Sequence, residues 1–180
     1  MSIVIRPQDV VRFWHEAGPD KWFAKDDAFD RAFIGRFQSA HMAAAQRELD
    51  GWLGQAEGAL ALLVLLDQFP RNAFRGTAHM FATDPLALAF ARQALSRGHD
   101  HAVDAALRVF FYLPFEHSEN LADQERAVAL CEGLGHYAGY AATHRDVIAR
   151  FGRFPHRNAA LGRESTSEEL TFLDAGGFAG

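Results

Sequence analysis

The chain has 180 residues, 49% hydrophobic and 23% charged, with a net charge of −5 and one cysteine. That is the balance of an ordinary globule, long enough for one domain with a substantial core. The acidic charge excludes general nucleic-acid affinity, and Cys131 alone excludes an internal disulfide or a multi-cysteine metal site.

The periodicity is helical nearly throughout, and no alternating strand pattern stands out. The opening "MSIVIRPQDV" lacks a basic start, long apolar stretch and small-residue cleavage site, so a cytoplasmic location is expected. After Pro7, the stripe Val10, Phe13, Trp14 and Ala17 ends at Gly18-Pro19. From Asp26 to about Leu49, Phe29, Phe33 and Phe37 recur every four residues, which stacks them on one side of a long helix. Residues 56–69 are apolar nearly all round and belong at the centre of the fold. Their run "ALALLVLL" at 59–66 is too short to cross a bilayer, so no membrane partner is expected.

Thr83 or Asp84 should cap a helix that has Pro85 in its first turn and ends at Gly98. Further helices are expected over 100–112, about 119–134 and 136–151. The stretch "STSEEL" holds two overlapping capping boxes, Ser165 with Glu168 or Thr166 with Glu169, opening a last helix. The short connections predict antiparallel helix pairs in one all-α domain spanning residues 1–180.

Three corners hold most of the chemistry. In "LLDQFPRNAFRGT" at 65–77, Pro70 should stop the helix and push Phe69 out of helical geometry. Asp67, Gln68, Arg71, Asn72 and Arg75 then either satisfy the helix end or face a cavity and hold a polar ligand. In "GRFPHRN" at 152–158, Pro155 breaks the chain, and Arg150, Arg153, His156, Arg157 and Asn158 cluster within nine residues. Converging cations need carboxylates or a bound anion, and Asp67, Glu116, Glu119 and Glu125 are the candidate internal partners. In "YLPFEHSENLADQE" at 112–125, Ser118 or Asn120 suits an N-cap, while His117 beside Glu116 and Glu119 could move a proton. His144 lies in the apolar line of its helix, which suits a hydrogen-bonded core residue. Of 18 basic residues 16 are arginine, the side chain favoured for planar, bidentate pairing.

No P-loop, dinucleotide fingerprint or nucleophile elbow appears, and the paired Glu-x-x-His motifs of a helical di-iron site are absent. No cofactor and no metal are expected. The blocks "FW" at 13–14, "WF" at 22–23, "FDRAFIGRF" at 29–37, "LLDQFPRN" with "RGT", "HSE" at 117–119, "QE" at 124–125 and "RFGRFPHRN" with "LGR" occur in an ordered series. In them the chain resembles bacterial domain-of-unknown-function family 924 over nearly its whole length. The resemblance implies an all-helical, tetratricopeptide-like α-α superhelix and carries over no reaction, substrate or cofactor. Glu116 and Ser167 depart from the family's expected methionine and proline.

These readings lead to one expectation and two alternatives, one of them purely architectural, with the motif residues buried and mutually satisfied. The three corners would surround a pocket for a small anionic molecule, with Asp67, His117 and Glu119 supplying any proton transfer. Arg71, Asn72, Arg75, Gln68, Arg153, His156, Arg157 and Asn158 would bind it. The other alternative is a tetratricopeptide-like interaction module that grips acidic peptides in a groove. Enzymatic activity and oligomeric state stay open at this level.

Overall fold

The computed structural model describes residues 5–180. The stretch 1–4, part of the segment read above for a leader, lies outside them. Among the described residues the ordered elements are helices, and the fold is all-α. The chain divides into two compact units: residues 1–75 with 79–114, and residues 76–78 with 115–180.

The first unit opens with α1 (Pro7–Ala17), closed by Gly18 at φ 74°, and the short α2 (Pro19–Trp22). Next comes α3 (Asp27–Ala45), whose Asp26 carboxylate accepts from the amides of Ala28 and Phe29. The every-fourth-residue phenylalanines behave as their spacing predicts. Phe33 and Phe37 are fully buried, and Phe13 of α1 stacks on Phe29 and Phe33 at centroid distances of 5.3 and 5.4 Å. Trp14 and Trp22 are core anchors, the Trp22 indole donating to the Trp14 carbonyl at 2.7 Å.

The helix α3 ends four residues earlier than its pattern suggests. Arg47 takes φ 66°, and Glu48 N–H closes back on the Ala43 carbonyl at 2.9 Å. That left-handed helix stop is normally marked by glycine; an arginine in the position gives no warning.

The apolar segment forms α4 (Ala56–Leu63), packed on α1 and α6 (Asp84–Ser96), and residues 59–66 are entirely buried. Pro70 does not stop it. A π-helical turn over Val64–Gln68 passes into α5 (Phe69–Ala73), and Phe69 keeps right-handed helical geometry at φ −53°, ψ −46°. The wider turn gives the proline ring room that a regular α turn denies it. Where one helix is expected over 100–112, the chain forms two 3-10 segments, His99–Ala102 and Ala105–Phe111. The extended Val103 separates them.

The second unit contains the end of α7 (Leu113–Glu116), then α8 (Leu121–Cys131) packed against α9 (His136–Phe151), and finally α10 (Ser167–Asp174). Asn120, rather than Ser118, caps α8 through the Ala122 amide. Thr166 and Glu169 form the capping box of α10. Ser165 instead accepts a hydrogen bond from the Asn158 amide at 3.0 Å. Val147, Ile148 and Phe154 make a small buried core, flanked by Phe151, Phe172 and Phe178.

Candidate functional site

The first Phe-Pro corner is built by the π turn. Phe69 N–H reaches the Val64 carbonyl, five residues back, so the Leu65 carbonyl loses its usual donor. Fully buried His41 fills the vacancy through Nδ1 at 2.9 Å, which requires the proton on that nitrogen. Pro70 has no N–H for the Leu66 carbonyl, and the Thr83 hydroxyl donates to it instead. The Asp67 carbonyl accepts from Arg71 Nη1 at 2.7 Å.

The charged groups of this corner are engaged inside the first unit. Arg71 forks onto Asp84 at 2.8 and 3.0 Å and lies 3.4 Å from Asp67 Oδ1. Burial opposes its charge, but Asp67 and Asp84 outweigh that and raise the Arg71 pKa. Gln68 donates to Asp67 at 2.6 Å, while Asn72 and Arg75 both donate to Asp30 on α3, at 2.6 and 3.1 Å. Neither Asp30 nor Asp84 is among the partners expected from the sequence, because Asp30 sits in a phenylalanine-rich stripe and Asp84 suits a cap.

The "HSE" corner and the second Phe-Pro corner share the second unit and bond directly to each other. Glu119 accepts from the Phe154 amide at 2.8 Å and pairs in bidentate fashion with Arg163 at 2.7 and 2.9 Å. Burial raises its pKa, but the bonds from Arg163 and the Phe154 amide prevail and lower it. Arg157 Nη1 donates to the His117 carbonyl at 3.1 Å. Arg153 forks onto Glu169 at 2.6 and 2.8 Å. Together with bonds from Thr166, that fork holds the Glu169 carboxyl down to about 2. The partners of Arg153 and Arg150 are therefore Glu169 and Glu168 of the acidic tail.

Around Phe154 these corners assemble a histidine cluster. The rings of His144 and His156 lie 5.7 and 5.6 Å from that of Phe154, and His117 lies 6.2 Å from His144. The Arg157 guanidinium sits 4.4 Å over the Phe154 ring. Burial, then the charge of Arg157, pushes His156 down to about 4, so it is neutral at pH 7. Its Nδ1 is buried and has no hydrogen-bond partner among the described residues. His144 Nδ1 bonds the Tyr140 carbonyl at 2.8 Å and lies 3.5 Å from Glu116 Oε2. Glu116 in turn accepts from the Cys131 thiol at 3.3 Å. The expected hydrogen-bonded role of His144 is thus realised, with a carboxylate beside it that the sequence pattern did not connect to it.

Among the described residues no group of three or more histidine, cysteine or acidic side chains could hold a metal ion, and no helix is long and apolar enough to cross a membrane. A cleft of about 450 Å³ opens in the first unit, lined by Arg12, His15, Glu57 and Asp104 among others. None of the corner residues lines it.

Comparison with known proteins agrees with the motif series. Residues 10–177 match the family described as bacterial protein of unknown function, DUF924. A solved structure of a protein of unknown function from Agrobacterium tumefaciens is similar to this chain at 62% identity and a TM-score of 0.92. The match covers 94% of this chain and 97% of that one. No curated protein matches. With nearly its whole length matched, this chain belongs to the bacterial family DUF924.

Proposed function

We propose that the second unit binds a small anionic molecule at the histidine cluster, and that His117 performs any proton transfer to or from it. The observation that carries this reading is the convergence of His144, His156 and Arg157 onto one side chain, Phe154, with the His117 ring 6.2 Å from that of His144. Arg157 supplies a permanent charge. Neutral His156 offers a buried nitrogen that can donate or accept without adding a second charge.

Arg153, Asn158 and Glu119 act here as positioning residues, since each already holds α10 or the Phe154 corner in place. Asp67, Gln68, Arg71, Asn72 and Arg75 serve the packing of the first unit in this reading.

Thermal unfolding in inorganic phosphate, acetate and short acidic peptides tests it. A ligand at a hundred times its Kd stabilises by about 2.7 kcal/mol, and His117→Gln and His156→Gln should remove the effect of phosphate or acetate. Absence of any shift with small anions overturns the reading. A shift with acidic peptides alone transfers the function to a peptide-binding, tetratricopeptide-like surface.

A further inference from the structure

The last five residues fold back onto the same cluster. Gly176 leaves α10 at φ 78°, and a Cβ on Gly177 would run into the carbonyl and ring of Phe172, so this turn needs glycine at both positions. The reversal carries Phe178 among the cluster rings. Its centroid lies 4.5 Å from that of His144, 5.4 Å from His156 and 6.1 Å from Phe154, with edge-on geometry to both histidines. One face of the proposed anion site is therefore taken by a phenyl ring set edge-on to two histidines.

We infer that Phe178 stands in the aromatic half of the ligand site, and that the ligand is an aryl anion that displaces it. The inference rests on the anion-binding reading above and adds the chemical class. His144, His156 and Phe154 would receive the ring, and Arg157, lying over Phe154, would receive the charged group. The tail then acts as a built-in competitor: a small anion without a ring gains nothing from displacing it, whereas an aryl anion replaces the partly buried Phe178 ring by its own.

Phenylacetate and acetate, titrated calorimetrically against the full chain, Phe178→Ala and Phe178→Leu, separate the possibilities. Phe178→Ala should bind phenylacetate roughly ten-fold more tightly than the parent, with acetate affinity unchanged. Phe178→Leu keeps an apolar group over Phe154 and should show a smaller gain in the same direction, which covers a loss of fold in the alanine variant. A fluorinated phenylalanine at position 178 should move to a solvent-like 19F shift with phenylacetate and not with acetate. Equal phenylacetate affinity in parent and variants, with acetate bound by all, overturns the aryl inference and leaves the anion reading standing. Binding of neither anion by any of them overturns both.

Discussion

The Thr83 hydroxyl donates to the carbonyl of Leu66, the group whose helical donor is missing because residue 70 is proline. A side chain 17 positions away thus completes the helix that Pro70 interrupts. Thr83→Val keeps the shape and leaves a buried acceptor empty, which should cost about 1–3 kcal/mol in urea unfolding. Pro70→Ala restores an N–H at the same turn. A double-mutant cycle between the two positions should show coupling of about 0.5–3 kcal/mol, and additive effects would disconnect Thr83 from the proline.

Arg71 should be the most costly single charge to remove. Its side chain is 13% exposed and is gripped by Asp84 and Asp67, so Arg71→Met leaves two buried carboxylates facing each other. A loss of about 3–5 kcal/mol is expected by chemical denaturation. Arg71→Lys should recover only part of it, since an ammonium cannot reproduce the fork. Full recovery by lysine would mean that charge alone matters there.

Two acid-side transitions should be separable by variant. His156 falls from an ordinary 6.5 to about 4 in the fold, so below pH 6.5 the unfolded chain takes up the proton first. Its contribution is present above pH 6.5 and is lost as pH falls through about 4. His41, lowered mainly by burial, acts in the same direction. Glu169, held at about 2 against an ordinary 4.5, contributes above pH 4.5 and loses that contribution towards pH 2. Stability measured against pH should therefore flatten between 6.5 and 4 in His156→Gln, and between 4.5 and 2 in Glu169→Gln.

Cys131 should be inert while the protein is folded. The residue is fully buried, and burial together with the Glu116 carboxylate pushes its thiol pKa far up. A thiol reagent at pH 8 should label it only at the rate of unfolding, and Cys131→Ser should not alter anion binding. Rapid labelling of the native chain would contradict the buried thiol–carboxylate contact.

Much of the architecture could be read from side-chain spacing. The Phe29–Phe33–Phe37 stripe, the buried 59–66 segment and the Thr166–Glu169 box all rest on contacts within a few residues, which periodicity and capping rules describe. The two misses differ in cause. Pro70 rides through a π turn because His41 and Thr83, distant in sequence, serve the carbonyls left there, whereas Arg47 ends α3 in a left-handed conformation with Asp50, three residues on, as its partner. The arginine-rich corners correctly announced a need for negative partners. Which carboxylate answers each arginine depended on tertiary placement, as with Asp30 for Arg75 and Glu169 for Arg153. Phe178 has no signal in the sequence, because a single aromatic after two glycines carries no local pattern.

The π turn at Val64–Gln68 also sets an angular phase. Each α-helical residue advances the chain by about 100°, so one surplus residue reorients everything that follows by about that angle. Arg71 and Asn72 point towards Asp84 and Asp30 only with this offset in place. Deleting a single residue from the turn would make a more regular helix and aim its polar side chains the wrong way. At this corner, insertions and deletions are steering errors, and even a helix of perfect propensity could not correct them.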